Sequence, residues 1–357
     1  MASIRMQTNR LRPGMIINSD VYTRAGVVIV PEGTAVTKEV HALLARHFVD
    51  EVLVEYVPEK KPGTKKTEKA VMAKQRKRKE FTTAFHIAEE SLSQNLTDMV
   101  QQEKEIDVPA LLDIVQSVVS KADTDADLCE MLSFMEASSE KLYAHAIHVA
   151  LYGRLLAGWV QLTSEDTELV VLTGLLHDIG HLKGMEKAEN SLCLHEELEK
   201  GYREKHPHDG YKIIQNKALD YRIKQAVLTH HERMDGSGFP MGVTYSNINQ
   251  VARVVAIADT YATLSMEEEG YPAISPFEIL NLLHTQELGK YDSGCLMAFM
   301  EHIAQNFIQH RVLLNDGRTG CIVMLNKLDL TKPLVQVEDY FVDLSVQKDL
   351  RIEKVLD

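Results

Sequence analysis

Five separated segments of the chain set histidines and acids among apolar residues. His177 and Asp178 close the apolar stretch 169–176. An ionised carboxylate in such company is costly unless a cation, a strong donor set or water meets it. The bland alternative is a helix end, with His177 capping carbonyls and Asp178 in solvent. Asp259 sits in the same way within 251–264, where Val255, Ile257 and Ala258 leave little polar face. His230 and His231 end another apolar segment and precede a turn containing Asp235, Gly236, Gly238, Phe239 and Pro240. That places two imidazoles beside a rigid loop, although adjacent histidines also occur on ordinary surfaces. His206 precedes Pro207 and is expected to be the last extended residue before a helix starts at the proline. His145 shares a helix with His148 and Val149, a spacing that equally suits a packed core histidine. Taken together, the segments offer imidazole and carboxylate ligands in an order that one bundle could gather, and bundles build metal sites from facing helices. Nitrogen and oxygen ligation without thiolate suits iron, manganese or other first-row ions rather than calcium or structural zinc.

The elements that must position these groups are mainly helical. Phe81, Phe85, Ala88 and Leu92 share a helical face, as do Leu111, Leu112, Ile114, Val115 and Val118. Helical spacing continues to about residue 310, so 81–310 reads as a helical domain with its chemistry-bearing core over about 120–310. Residues 1–57 read as a small β-rich module: a β-branched run at 26–34, a short helix from Thr37 to about 47, and a strand at 52–56. Residues 311–357 read as a β-rich appendage that opens with a hairpin around Asn315-Asp316-Gly317. Between the first two lies a basic linker, 58–80, with the boundary at Pro62-Gly63.

The totals narrow the class. With 357 residues, 45% hydrophobic and 25% charged, the chain is an ordinary globular protein with room for a sizeable core. The cysteines are scattered without a CxxC pair, against a zinc knuckle or disulfide framework and in keeping with a reducing cytosol. No apolar run approaches the length of a bilayer span, and the N-terminus lacks a signal-peptide core, so a cytoplasmic location is expected. Residues 60–79 hold ten Lys or Arg against one acid, Glu68, in a chain whose net charge is −13. A basic run of that kind could touch nucleic acid or an anionic membrane, but a solvated surface is the plainer reading, and the acidic body argues against a nucleic-acid polymer as partner.

The ordered set of His145, His177-Asp178, His206-Pro207 with Gly210, His230-His231-Glu232, Asp235-Gly236, Gly238-Phe239-Pro240 and Asp259 resembles the HD-GYP family of the HD phosphohydrolase superfamily, over about residues 140–305. The resemblance implies an HD-type helical bundle and a metal-dependent phosphodiesterase that hydrolyses cyclic di-GMP to linear pGpG and, in some members, on to GMP. It implies that His145, His177, Asp178 and Asp259 hold one divalent ion, iron or manganese, and that His206, His230 and His231 hold a second, with Asp178 bridging. A hydroxide bridging the two ions would attack the phosphate. The 235–240 loop would line the substrate site, and a homodimer is an open assembly state.

Departures from the family pattern accompany the match. The family's lysine after His-Asp-x-Gly is His181 here, with Lys183 as its substitute in a catalytic role. The loop tyrosine is Phe239. The family's basic residues after the last metal aspartate are replaced by Glu267, Glu268 and Glu269, leaving Arg253 as the expected phosphate or guanine contact. Lys141 stands where a third ion would need a carboxylate. Two alternatives follow: a signalling protein that binds a cyclic dinucleotide with weak or no hydrolysis, and a hydrolase of another cyclic dinucleotide or nucleotide.

Overall fold

The computed structural model describes residues 3–8, 11, 15–23, 28–47, 49–55, 64–135, 141–183, 205–267, 273–285 and 287–356. Gly26-Val27, Tyr56, the Pro62-Gly63 boundary, Glu268 and Glu269 lie outside the described residues. The chain divides into two units, Met1–Ala73 and Lys74–Asp357.

In the first unit, strands β1 (Ser3–Gln7), β5 (Glu51–Glu55) and β2 (Ile16–Ile17) form an antiparallel sheet, and β3 (Val21–Tyr22) pairs with β4 (Val28–Val30). Helix α1 (Lys38–Arg46) begins at Thr37, whose side chain accepts from Val40 N. Ile17, Val30, Leu44, Val52 and Val54 belong to a core of this unit's own.

The basic run does not stay a linker, because helix α2 spans Thr64–Gln101. Three of its described cations are engaged by acids in and before α4 (Asp125–Ser133), while Arg76 pairs with Glu80 within the helix. Lys74 and Arg78 reach Glu130 at 2.6 and 3.1 Å, and Lys77 reaches Asp123 and Asp127 at 2.5 and 2.9 Å. Further along, α2 buries Phe81, Phe85, Ala88 and Leu92, and α3 (Val108–Val119) buries Leu111, Ile114, Val115 and Val118, the faces expected from their spacing.

Helices α5 (Lys141–Trp159) and α6 (Ser164–Leu176) form the centre of the second unit. The first is buried on nearly every side and the second from Leu169 onward, because neither stretch offers a polar stripe. After a 3-10 turn at Ile179–Lys183 come α7 (His206–Ile214) and α8 (Tyr221–Thr229). Next is α9 (Gln250–Ser265), started by Asn249, whose side chain accepts from Ala252 N; then α10 (Pro276–Thr285) and α11 (Ser293–Asn306). The fold is mainly α.

Five antiparallel strands finish the chain: β6 (Arg311–Leu314), β7 (Thr319–Met324), β8 (Leu334–Val337), β9 (Tyr340–Asp343) and β10 (Ile352–Leu356), in the order β10-β6-β7-β8-β9. Gly317, at φ 86°, sits in the β6–β7 turn, a backbone region that favours glycine. The inward residues Val312, Leu314, Ile322, Val335 and Ile352 join the same buried cluster as the helices. This sheet therefore shares the helical core. Among the described residues, no helix is long and apolar enough to cross a membrane.

Candidate metal centre

His145 lies mid-way along the first turns of α5 and His177 caps α6, so the packing of these two helices brings the rings to 5.2 Å between centroids. Asp259 enters from α9, with Oδ1 3.0 Å from His145 Nε2 and 3.8 Å from His177 Nε2. On the other side, the 3-10 turn brings Asp178 against the start of α7. That approach requires Gly180, since a Cβ there would stand 2.0 Å from the His206 carbonyl oxygen. The helix begins at His206 itself rather than at Pro207; the ring-locked φ of proline fits the first helical turn, and His206 adopts the helix with it. His230 and His231 follow α8 and complete the set.

Two groups of ligand atoms result, each with all members within 4.8 Å of one another: Asp178 with His206, His230 and His231, and His145 with His177 and Asp259. Asp178 faces both. Its Oδ2 lies 3.2 Å from His177 Nε2 and 3.8 Å from His145 Nε2, while Oδ1 lies 3.2 Å from His206 Nε2 and 3.8 Å from His230 Nε2. Asp259 Oδ2 is 3.7 Å from His231 Nδ1. All seven side chains are buried.

The hydrogen bonding at the rings fits metal ions. Nδ1 of His177 meets the Gly174 carbonyl and Nδ1 of His230 meets the Val227 carbonyl, both at 2.8 Å. A carbonyl can only accept, so each Nδ1 carries a proton, and in the neutral ring each Nε2 keeps a lone pair for a ligand bond. Those lone pairs point at carboxylates and at one another, with His206 Nε2 and His230 Nε2 3.2 Å apart, and buried His177 Nε2 makes no hydrogen bond among the described residues. Nitrogen and oxygen lone pairs packed together need a cation between them. Locking one ring nitrogen to a carbonyl is also how proteins orient metal-ligating histidines.

Electrostatics agree. Burial pushes His230 down to about 3 and drives His231 well below its usual range. Burial opposes ionisation of Asp178 and Asp259, but the surrounding imidazoles outweigh it and hold both carboxyls below the usual range. His177 is the exception: burial works against its charge, yet Asp178 beside it raises it to about 9. Without ions, the centre is thus two carboxylates among mostly neutral rings, an acceptor-rich hole suited to divalent cations.

The other residues singled out in the sequence are placed unequally. His181 joins the edge of the centre, stacked on His206 at 4.2 Å with Nε2 3.8 Å from Asp178 Oδ1. Lys183 does not join it; it lies on the surface and pairs with Asp209 at 3.3 Å. Arg253 is a clamp rather than an open anion contact. Nε donates to Ile248 O at 2.8 Å, Nη1 reaches Asp292 at 3.4 Å, Nη2 donates to Tyr245 O at 3.3 Å, and the guanidinium stacks on Tyr245 at 3.9 Å. Asp235 accepts from Ser237 N and Oγ, folding the loop on itself with Gly236 at φ 81°. Gly238 lies against the chain just past the histidines, where a Cβ would meet His231 O at 2.4 Å. Phe239 donates its N–H to His231 O at 3.2 Å and lays its ring 4.6 Å from that of His231, followed by a cis peptide to Pro240.

Glu232 has a role that the sequence reading quoted but did not assign. It is buried, and its Oε1 and Oε2 accept from Met241 N at 2.7 Å and Val243 N at 3.0 Å. It therefore ties the far side of the loop to the residue next to His231. The available signal was an acid wedged between two histidines and a glycine-rich loop.

Residues 142–264 match the HD domain family profile. The chain is similar to a cyclic di-GMP phosphodiesterase of Pseudomonas aeruginosa, 24% identical over 233 residues that cover 65% of this chain and 56% of that protein. It is also similar to a 3'3'-cGAMP-specific phosphodiesterase of Vibrio cholerae, 30% identical over 164 residues that cover 46% and 38% of the two chains. The match thus spans about half the length of these relatives or less. Among solved structures, an HDG"Y"P protein from Bdellovibrio bacteriovorus is similar at 18% identity and TM-score 0.49, covering 84% of this chain and 98% of that one.

Proposed function

This chain belongs to the HD-GYP branch of the HD-domain family, and we propose on that footing that it is a metal-dependent phosphodiesterase that opens cyclic di-GMP to linear pGpG. The observation that carries the reading is Asp178, buried and turning one oxygen toward each ligand group. Asp178, His206, His230 and His231 would hold one iron or manganese ion; His145, His177 and Asp259, with the other oxygen of Asp178, would hold a second. Bound there, such ions supply Lewis acidity toward a phosphoryl oxygen and acidify water near neutral pH.

The protein's own groups do the rest. The carbonyls of Gly174 and Val227 fix the tautomers of His177 and His230, so that Nε2 of each ring is the donor atom. Glu232 and Gly238 hold Phe239 over His231, where its ring can cover a base or exclude water from one side of the centre. His181 lies at the rim, next to Asp178 and His206, in reach of a phosphate oxygen or leaving-group proton.

The test loads the purified chain with Mn(II) or reduced iron and follows cyclic di-GMP by chromatography. Appearance of pGpG is expected; occupied metal sites with no turnover would overturn the reading. A second substrate, a mixed cyclic dinucleotide, is favoured by the name of the Vibrio relative. Competition between cyclic di-GMP and 3'3'-cGAMP for the same preparation separates the two.

A further inference from the structure

The metal centre is sealed at its depth and opens at one edge. His145, His177 and His230 are 0% exposed, whereas Asp178, His231 and Asp259 keep 6, 8 and 5%. A phosphodiester that reaches the centre must pass that edge, where His231 Nδ1 and Asp259 Oδ2 stand 3.7 Å apart. It brings negative charge toward a chain whose net charge is already −13. Two cations that the sequence offered for this duty are taken, Lys183 by Asp209 at 3.3 Å and Arg253 by Asp292 at 3.4 Å.

Arg233 is not taken in that way. It is half-buried, two residues beyond His231, and its charge bears on the His231 ring. Its Nη1 donates to His230 O at 3.3 Å and Glu232 O at 3.1 Å, which holds the guanidinium against the segment that carries both imidazoles. The guanidinium lies 4.7 Å over the ring of buried Tyr291, a cation–π contact. That ring is itself fixed. Thr260 Oγ1 gives its proton to Ala256 O at 2.9 Å, so the Tyr291 hydroxyl donates to Thr260, at 2.6 Å. Thr260 follows Asp259 in α9, so the platform under Arg233 is tied to the turn that supplies a ligand. Among the described residues no acid pairs with Arg233, and its Nε and Nη2 make no hydrogen bond.

We infer that Arg233, carried on Tyr291, is the residue that grips the phosphodiester of the substrate at the open edge of the centre; this rests on the hydrolysis proposed above. Nε and Nη2 form one edge of the guanidinium, a planar fork that matches two oxygens of a phosphate. Nη1, bonded to the two carbonyls, fixes the group before the anion arrives. Tyr291 acts through Arg233 and is a positioning residue.

The experiment titrates the Mn(II)-loaded full chain with pGpG, which keeps one phosphodiester and has no ring to open, by calorimetry in wild type, Arg233→Gln and Arg233→Lys. Metal content and the KM and kcat for cyclic di-GMP are measured on the same preparations. In Arg233→Gln the dissociation constant and KM should rise tenfold or more, with kcat within threefold of wild type and metal content unchanged, the pattern of a lost binding contact. Arg233→Lys, which restores the charge, should bind at least threefold more tightly than Arg233→Gln. Added salt should weaken pGpG binding less steeply in Arg233→Gln than in wild type, since screening acts on the charge that was removed; a purely structural clamp would leave the two slopes equal. Unchanged affinity in Arg233→Gln, equal salt slopes, Arg233→Lys no tighter than Arg233→Gln, or loss of metal in Arg233→Gln would each overturn the inference, as would a wild type that does not bind pGpG. A wild type that binds pGpG with the expected variant pattern but does not open cyclic di-GMP would refute the hydrolase reading and uphold the contact.

Discussion

Replacing Glu232 with Gln isolates what the loop 235–243 contributes, since it alters neither a ligand atom nor the side-chain volume. In the native chain both oxygens accept backbone N–H groups, from Met241 at 2.7 Å and Val243 at 3.0 Å, in a residue 2% exposed. Gln keeps one acceptor and turns an amide NH2 toward the other backbone N–H, so one charge-assisted bond is lost and two donors face each other. Hydrogen bonds to charged groups contribute about 1.5–3 kcal/mol. Because loops open locally at less cost than the whole domain, that loss falls first on the opening of this loop. It corresponds to roughly a tenfold to hundredfold rise in opening. Hydrogen–deuterium exchange at Met241 and Val243 reads it directly, alongside kcat/KM and metal content. Faster exchange at those amides and a lower kcat/KM, with metal stoichiometry held at the wild-type level, is the expected outcome. Unchanged exchange at both amides would refute the argument that Glu232 tethers the loop.

Three further outcomes are expected. Asp178→Asn should lower the content of both ions together and abolish hydrolysis, as read by elemental analysis; full occupancy of either group would contradict the shared role given to its oxygens. Glu130 is held down to about 2, first by His310, whose Nε2 lies 3.8 Å away, and then by Lys74 and Arg78 against the opposing effect of burial. A carboxyl lowered on folding stabilises the protein above its unfolded value of about 4.3, and that contribution fades as pH falls toward 2. The melting temperature should therefore drop less between pH 5 and 2 in Glu130→Gln than in wild type, and parallel curves would remove the assignment. Deleting residues 1–57 should leave metal content and turnover intact, because the second unit has a core of its own; a loss as deep as that of Asp178→Asn would show that the first unit is needed for the centre.

The ligand residues were legible because burying a carboxylate leaves a mark in sequence. Asp178 and Asp259 interrupt apolar helices with no local partner, and only convergence with distant imidazoles relieves them. The tautomer locks at His177 and His230 were not legible, since they depend on carbonyls left open at helix ends. Arg253 misled for a related reason: a lone arginine near a site reads as an anion contact until Ile248, Tyr245 and Asp292 are seen to take its donors. Lys74, Lys77 and Arg78 in the run at 60–79 read as solvated because the acids they meet, Asp123, Asp127 and Glu130, lie some fifty residues later.

The C-terminal sheet changes what can be cut from this chain. Strand β10 packs on α10, Ser275 Oγ donates to Ile352 O at 3.4 Å, and β7 returns hydrogen bonds to Gln309 and His310 at the end of the last helix. A fragment stopped at residue 310 would remove Val312, Leu314, Ile322, Val335 and Ile352 from the hydrophobic interior that they share with the helices. The sheet is thus part of the second unit's own interior, fixed to the bundle from within rather than hung on it as a detachable accessory.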